Sequence, residues 1–216
     1  MLQHVWERAA RARTLSRVVI ATDDDRIFRE ARRFGAEACM TRGDHPSGSD
    51  RVAEVAAGGR ADLIVNIQGD EPLIDPDAVD AAVKGLLEVE AAPMSTLKKR
   101  IEDPAEVLNP NVVKVVTDVE GNAIYFSRSA IPYARDGAAV HYKHVGLYVY
   151  RREFLLGYSG LTRGPLEEAE KLEQLRALEN GYKIRVVETG YESLGVDTPE
   201  DLRRVSALIE TRLKVR

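Results

Sequence analysis

The first third of the chain alternates between short apolar runs and amphipathic stretches. Residues 18–22, 37–41 and 63–68 are rich in apolar and β-branched side chains, a composition typical of buried strands. Stretches with helical character follow them, and Gly35 and Ser49 stand where a helix end and a helix N-cap are expected. This repeated strand-then-helix order predicts a mostly parallel sheet with right-handed crossovers.

The middle of the chain has a different pattern. Residues 112–118 and 123–128 flank the turn residues 120–122, an arrangement that predicts a β-hairpin. Residues 144–151 predict another strand. We therefore expect an antiparallel insertion over about 109–151, of the kind that often forms a lid or a subunit contact.

The last quarter returns to the α/β pattern. Residues 165–180 predict one long helix ended by Gly181, and residues 183–189 predict a strand. Thr198 as N-cap, followed by Pro199 at the first helical position, marks the start of a final helix. The whole chain, 1–216, is thus expected to be a single Rossmann-like α/β domain with a mostly parallel, mixed sheet and an antiparallel insertion.

Composition and charge indicate which kind of ligand the chain binds. The chain is 44% hydrophobic and 31% charged with a net charge of −4, as in ordinary soluble domains. It has no basic patch for nucleic acid or an anionic membrane, and no apolar run near the ~20 residues that a membrane span needs. It opens without a signal-peptide pattern, which predicts the cytoplasm. These features favour a small-molecule ligand.

Two aspartates follow predicted strands. Asp70 lies directly after the strand 63–67, and Asp197 lies just before the final helix. Ligands of open parallel sheets bind beyond the carboxyl ends of the strands, and carboxylate oxygens suit Mg²⁺. A polar turn at Asp70 and a helix cap at Asp197 are the simpler interpretations. The sequence leaves open whether the two aspartates converge on one Mg²⁺–triphosphate.

A polar loop and a basic cluster are further candidates. The loop 40–51 carries hydroxyl groups, with Arg42 and Arg51 near its ends, and it predicts either a binding site for a base edge and an anion or a capped surface loop. Arg128 and His144 lie on the predicted insertion, where His144 is a possible ligand-facing donor. The acids of the predicted helix 165–180 are interpreted mostly as a solvated face.

The order of these segments resembles that of the 3-deoxy-manno-octulosonate cytidylyltransferase family. Any one match is weak, but the ordered set is specific and covers nearly the whole chain. The matching stretches are 20–23 (IATD), 40–42 (MTR), 44–45 (DH), 47–51 (SGSDR), 66–72 (NIQGDEP), 109–111 (NPN), 113–116 (VKVV), 125–128 (YFSR), 131–132 (IP), 144–148 (HVGLY), 165–167 (PLE), 172–176 (LEQLR) and 195–202 (GVDTPEDL).

The resemblance implies a nucleotidyltransferase fold and a reaction. CMP would pass from CTP to the anomeric hydroxyl of 3-deoxy-D-manno-octulosonate (Kdo), giving CMP-Kdo and pyrophosphate for lipopolysaccharide biosynthesis. It also implies Mg²⁺ as cofactor and a homodimer, with the insertion at the sugar pocket and the dimer contact. Catalytic roles fall to Asp70, Asp197 and Arg128: the aspartates would hold the metal, and Arg128 would meet the carboxylate of the sugar acid.

The same resemblance assigns binding residues position by position. The implied sugar-acid pocket comprises Arg42, Gln68, His144, Tyr148, Glu173 and Gln174. The implied nucleotide-binding residues are Gly48, Ser49 and Arg51, in the loop near the cytosine. A cytidylyltransferase for another acidic sugar, such as a sialic acid or an amino-Kdo, stays open as an alternative.

The chain departs from the family pattern at its start. Family members open with a strand and a loop resembling IPARxxSxRLPGKPL, whose Arg and Lys cradle the triphosphate, before the helix that begins here at Leu2. We therefore expect a central strand and its loop to be absent. A late start codon or a truncation, a short inactive protein, and completion of the sheet by another chain or segment are the three explanations. A non-catalytic, degenerate paralogue is accordingly a second alternative to the synthetase.

Overall fold

The structure, a computed structural model, describes residues 1–137 and 139–214. Within these ranges the helices are α1 Leu2–Ala9, α2 Asp25–Arg33, α3 Gly48–Ala57, α4 Pro76–Leu87, α5 Pro104–Leu108, α6 Arg152–Tyr158, α7 Pro165–Glu170, α8 Leu175–Glu179 and α9 Pro199–Lys214. The strands are β1 Val19–Thr22, β2 Glu37–Met40, β3 Leu63–Asn66, β4 Met94–Arg100, β5 Lys114–Thr117, β6 Ala123–Ser127, β7 Tyr142–Arg151 and β8 Ile184–Glu188.

Strand β7 is the central strand of the larger sheet. The strand order is β6-β5-β7-β4-β8, and β3 also pairs with β7. Strand β7 runs antiparallel to β3, β4 and β5, whereas β4 and β8 are parallel. Consequently β3, β4, β5 and β8 share one direction, and β6 and β7 run the other way. The predicted α/β fold with a mixed sheet is confirmed. Among the strand pairs that the structure describes, antiparallel pairs outnumber parallel ones, because β7 runs against each of its neighbours, so the sheet is not mostly parallel as predicted. The last strand of the predicted insertion, however, lies inside the sheet.

Helices cover both faces of this sheet, so β7 is buried on each side. Val145 and Val149 belong to one apolar cluster, which contains residues of α1 and α4. Tyr150 points to the other cluster, which contains residues of α3, α6 and α8. Because side chains alternate along a strand, β7 contributes to both halves of the core.

The predicted long helix over residues 165–180 is wrong. The chain forms α7 and α8 instead, and Lys171 between them adopts a left-handed conformation with φ of 53°. The amide of Lys171 donates to the carbonyl of Glu167 at 2.8 Å, which closes α7. Glu173 and Gln174 therefore lie in or next to a tight turn rather than on the exposed face of a helix.

Strands β1 and β2 form a separate, parallel two-stranded sheet. In the part of the chain that the structure describes, β1 pairs only with β2 and β3 only with β7, so each has one edge without a strand partner. A largely apolar cleft of about 450 Å³ lies between these two edges. The cleft is lined by β1, β3, α3 and α1, including Ile20, Val65, Val52, Val5 and Trp6.

Candidate active site

The beginning of α3 lies against the turn between α7 and α8. Ser47 caps α3, and its hydroxyl accepts the amide N–H of Asp50 at 3.2 Å. The same hydroxyl lies 2.7 Å from Asp50 Oδ2 and 3.2 Å from Glu173 Oε1, either of which can accept its proton. In the first turn of the helix, the buried Ser49 Oγ lies 3.2 Å from Tyr150 Oη. Local helix capping thus brings the loop 40–51 into contact with Glu173.

The side chains of Glu173 and Gln174 have polar groups, and only some of these groups form hydrogen bonds with the described residues. Burial, with the neighbouring carboxylate of Asp50 as a smaller contribution, raises the pKa of Glu173. Tyr158 Oη donates to the backbone carbonyl of Glu173 at 2.7 Å and holds the turn in place. The side chain of Gln174 is only 4% exposed, yet its amide forms no hydrogen bond within residues 1–137 and 139–214. A polar ligand would satisfy this amide.

His144 lies in an aromatic row on β7. Its ring is in edge contact with Phe126 at 5.1 Å and tilted against Tyr148 at 5.4 Å. Thr96 Oγ1 lies 2.8 Å from both His144 Nε2 and the carbonyl oxygen of Leu147. A carbonyl only accepts, so the hydroxyl proton goes to Leu147 and the Nε2–H of His144 donates to Thr96.

Burial keeps both His144 and Tyr148 uncharged. It lowers the pKa of His144 to about 3 and raises the pKa of Tyr148 well above its ordinary value. With Nε2 protonated, Nδ1 of His144 is an acceptor, and Tyr148 keeps its hydroxyl proton. This part of the site therefore offers neutral hydrogen-bonding groups on an apolar background.

Arg128 is oriented by backbone carbonyls rather than by an ion pair. Its Nε donates to the carbonyl of Glu170 at 2.8 Å and its Nη1 to the carbonyl of Pro110 at 3.0 Å. The buried Lys114 lies behind it and donates to three carbonyls, one of them that of Arg128 at 2.6 Å. Among the described residues no carboxylate forms an ion pair with Arg128. A guanidinium group without an ion-pair partner can bind an anion.

The structure brings the segments of Asp70 and Asp197 together. The amide of Val196 donates to the backbone carbonyl of Asp70 at 3.0 Å, so the residue before Asp197 is bonded directly to Asp70. Asp70 is half-buried and Asp197 is exposed. Across the described ranges neither carboxylate has a salt-bridge or hydrogen-bond partner. Gln68 follows β3 at the same edge, and a Cβ atom on Gly48 would lie 4.0 Å from its amide.

Arg51 and Arg42 have different surroundings. Arg51 donates to Thr41 Oγ1 at 2.6 Å and pairs with Asp23 Oδ2 at 3.0 Å, so it ties the loop 40–51 to the end of β1. Arg42 is exposed and its Nε lies 3.6 Å from Glu54 Oε2. The structure places Arg42 on the outer side of this loop and shows no contact between it and Glu173 within the described ranges.

Sequence patterns missed several residues that build the site. Thr96, Ser47 and Tyr150 contact His144, Glu173 and Ser49, respectively. The helix-capping pattern at the start of α3 was a usable signal for Ser47. Thr96 and Tyr150 come from strands far apart in sequence, and no local pattern marks them.

The carboxylates of Asp70 and Asp197 fit a magnesium ion that takes some of its ligands from the protein and the others from water and a bound substrate. The described residues contain no group of three or more His, Cys, Asp or Glu side chains that could hold a metal by themselves. Mg²⁺ commonly binds through one or two carboxylates, several waters and substrate phosphates. Two carboxylates without protein partners in the described ranges, on adjacent segments, fit that mode of binding.

Comparison with known proteins decides the family. The family model described as "Cytidylyltransferase" matches residues 1–184. A protein of Solibacter usitatus named 3-deoxy-manno-octulosonate cytidylyltransferase is 65% identical over 215 residues, which cover 99% of this chain and 85% of that protein. The chain belongs to this family. A cytidylyltransferase of the same name from Geobacter sulfurreducens is 57% identical, with 95% of this chain and 87% of that protein covered.

Solved structures agree with the membership of this chain in the cytidylyltransferase family. The structure of "CMP:2-keto-3-deoxy-manno-octonic acid synthetase complexed with CTP" has a TM-score of 0.94 and 44% identity, and 98% of this chain and 88% of that one are covered. The structure of a 4-diphosphocytidyl-2C-methyl-D-erythritol synthase shares the fold. Its sequence identity is 13% and its TM-score is 0.62, and the match covers 96% of this chain and 87% of that one. In the described part of this cytidylyltransferase, no helix has the length and apolar character of a membrane span.

Proposed function

We propose that this chain transfers CMP from CTP to the anomeric hydroxyl of Kdo, releasing pyrophosphate and supplying CMP-Kdo for lipopolysaccharide synthesis. The observation that carries the proposal is the backbone hydrogen bond between Val196 and Asp70, which sets two aspartate side chains without protein partners in the described ranges on neighbouring segments. Membership in the family and the CTP complex of a similar enzyme support the choice of nucleotide. The proposal assigns the reaction to the cytoplasm, where CTP is made.

The reaction is an in-line displacement at phosphorus. The anomeric oxygen forms a bond to the α-phosphorus, the bond between that phosphorus and the bridging oxygen breaks, and the hydroxyl proton passes to solvent. Asp70 and Asp197 would hold Mg²⁺, which neutralises charge on the triphosphate when bound. Because no covalent bond to the protein forms, positioning and charge neutralisation supply the catalysis.

The residues assigned to the sugar-acid pocket suit a polyhydroxylated acid. Gln174 has an unused amide, Glu173 accepts hydrogen bonds from hydroxyl groups, and His144 and Tyr148 add neutral donors and acceptors. Arg128 carries a charge that is not balanced by an ion pair within the described part of the chain, and we assign it to the carboxylate of the sugar acid. Gln68 is also assigned to this pocket. Arg42 is assigned to it from the family resemblance alone, because its side chain lies on the outer side of the loop near Glu54.

The nucleotide is assigned to the loop and first turn of α3. Gly48 leaves room for the ligand beside Gln68, and Ser49 lies in the same turn. Arg51 holds the loop to β1 through Thr41 and Asp23. These residues would position the cytosine while the triphosphate extends toward Asp70.

We also propose a homodimer that uses the insertion at about 109–151. β6 is an edge strand of the larger sheet, and exposed apolar side chains occur on it and on the segments before and after it in the chain. They include Leu108, Val119, Ile124, Tyr133 and Val140. Sedimentation velocity tests the assignment: Ile124→Asp should give monomers, and an unchanged dimer or a monomeric wild type would contradict it.

Pyrophosphate release tests the function. The chain, and a version extended ahead of Met1 by a strand and an arginine–lysine loop of the family pattern, would be assayed with CTP, Mg²⁺ and a panel of acidic sugars. Preference for Kdo supports the proposal, and preference for a sialic acid or an amino-Kdo would transfer the assignment to that sugar. Absence of turnover in both folded versions would favour the non-catalytic paralogue.

A further inference from the structure

The segment 189–197, between β8 and α9, has no helix or strand but is held by contacts on two sides. Glu192 pairs with Lys99 and Lys143, which lie on β4 and β7. On the other side, the segment meets the loop that follows β3, where Val196 donates to the carbonyl of Asp70. The position of Asp197 thus depends on contacts that this irregular segment makes with the sheet.

Glu71 makes the side-chain contacts between the two segments. Tyr191 Oη donates to Glu71 Oε2 at 2.6 Å, and Ser193 Oγ donates to Glu71 Oε1. Tyr191 is only 8% exposed, so the contact is held within the core. Both oxygens of Glu71 are therefore engaged by the protein, in contrast to the carboxylate of its neighbour Asp70.

The loop that carries Glu71 is itself fixed by backbone hydrogen bonds. The amide of Glu71 donates to the carbonyl of Gln68 at 3.3 Å, and the amide of Ile74 donates to the carbonyl of Glu71 at 3.0 Å. Because the carboxylate of Glu71 is fixed and accepts hydrogen bonds from two hydroxyl groups, it restrains the segment that carries those hydroxyl groups. Charge-assisted hydrogen bonds of this kind are stronger than neutral ones.

We infer that Glu71 is a positioning residue that holds the segment 189–197 against the loop of Asp70 and so sets the spacing between Asp70 and Asp197. Glu71 itself does not touch the reacting atoms. The inference rests on the proposed function, because that proposal gives the two aspartates their role as metal ligands. It adds that the metal site depends on Tyr191 and Ser193, which have no place in the proposed substrate pocket.

Two readouts besides turnover test the inference. Hydrogen exchange of the peptide containing Val196 reports on the contact with Asp70, and Mn²⁺ titration with CTP, followed by electron paramagnetic resonance, reports on the metal site. We expect Glu71→Ala to speed exchange at Val196 and to weaken Mn²⁺ binding about tenfold, the loss of roughly one hydrogen bond to a charged group. The double variant Y191F/S193A should reproduce both effects, and Glu71→Gln should restore part of them.

Asp80→Asn is the matched control. Asp80 is a buried carboxylate that accepts from Thr14 Oγ1 at 2.7 Å and from the Thr14 amide at 2.9 Å, on the α1–α4 side of the molecule. It should lower the melting temperature without changing Mn²⁺ binding or exchange at Val196. Agreement between Asp80→Asn and Glu71→Ala in both readouts would show a general loss of stability and overturn the inference.

The remaining outcomes separate this inference from the proposed function. Unchanged exchange and Mn²⁺ binding in the soluble Glu71→Ala and Y191F/S193A variants would overturn the positioning role. A wild-type protein that binds no Mn²⁺ with CTP would overturn it as well. If Mn²⁺ binding depends on Glu71 but Kdo is not turned over, the positioning role stands and only the proposed substrate fails.

Discussion

At the scale of the residue, the side-chain amides of Asn180 and Gln174, near the α7–α8 turn, differ in their hydrogen-bond partners. Asn180 donates to the carbonyls of Thr162 and Arg176, each at 2.8 Å. Gln174 is more deeply buried and has no such partner within the described ranges. The amide atoms of Gln174 are not among the fully enclosed, unpartnered polar atoms of the described residues, so solvent or a bound ligand can reach them. Gln174 is therefore expected to serve ligand binding and Asn180 to serve folding.

Replacement of each amide by an apolar side chain tests this division. We expect Gln174→Met to leave the melting temperature unchanged or higher, because no protein hydrogen bond is lost, and to raise KM for the sugar acid about tenfold. Asn180→Leu should lower the melting temperature and leave that KM near the wild-type value. Loss of stability in Gln174→Met without a change in KM would show that the amide is structural.

His144 makes a prediction about stability and pH. Its pKa is lowered to about 3 by burial, whereas an unfolded histidine titrates near 6.5. Between these values the unfolded chain binds the proton and the folded chain does not, so stability falls as the pH drops below about 6.5. Linkage predicts a loss of about 1 kcal/mol per pH unit from this one residue.

Urea unfolding of wild type and His144→Gln at pH 7.5, 6 and 5 measures that contribution. The difference in unfolding free energy between the two proteins should shrink steadily as the pH falls, since the glutamine side chain in the variant does not titrate. Exchange of a histidine outside the site, His4→Gln, provides the control. A difference between wild type and His144→Gln that is constant with pH would contradict the buried, neutral state of His144.

At the scale of the element, the break between α7 and α8 determines where the site residues lie. A continuous helix over residues 165–180 would leave Glu173 and Gln174 on a helical surface. The left-handed Lys171 reverses the chain, and Glu167 then pairs with the buried Arg176 through two hydrogen bonds of 2.6 and 2.8 Å. Tertiary contacts therefore stabilise a conformation that a lysine disfavours locally.

Substitution at Lys171 tests whether the left-handed turn is required. Lys171→Gly should keep or raise stability by up to about 1 kcal/mol, because glycine adopts positive φ without a Cβ clash. Lys171→Val should lower stability by about 1–2 kcal/mol and weaken binding of the sugar acid, because a β-branched side chain disfavours this conformation. Equal stability of the two variants in thermal unfolding would argue against the left-handed turn.

At the scale of the whole molecule, the cleft between β1 and β3 separates the small sheet from the large one. Asp23, after β1, pairs with Arg51 near the start of α3, and Gln68, after β3, lies next to Gly48 in the same turn. Both strands therefore end at the same edge and run in the same direction. A strand placed between them would be covered by helices on both faces, so it would have to be apolar throughout.

Extension of the chain ahead of Met1 tests whether this cleft accepts a strand. Leu2 lies at the carboxyl edge, 3.7 Å from a Cβ position on Gly69, so a parallel strand in the cleft would end close to the start of α1. An apolar extension should raise the melting temperature by about 5 °C or more and slow hydrogen exchange in β1 and β3. A glycine-serine extension of equal length should do neither. Equal effects of the two would refute strand insertion.

Most of the order of helices and strands could be predicted because local periodicity encodes it. The apolar runs that became β1, β2, β3 and β7 are visible in the sequence. A capped start of α3 was predicted as well, but with Ser49 as the N-cap, whereas Ser47 caps the helix. The antiparallel partners of β7 could not be predicted, since pairing joins residues distant in the chain. The long helix over residues 165–180 was predicted wrongly for a different reason: the left-handed Lys171 and the contact between Glu167 and Arg176, nine residues apart, outweigh local helix propensity.

By itself the sequence determined the fold class, the family and the residues at the proposed site, because apolar periodicity and ordered motifs are properties of the chain. Only the tertiary structure decided that the segments of Asp70 and Asp197 meet and that backbone carbonyls hold Arg128. It also decided that Glu71 accepts hydrogen bonds from Tyr191 and Ser193. These facts depend on contacts between residues that are far apart in the chain. Such contacts exist only when the complete sheet and its helices have packed.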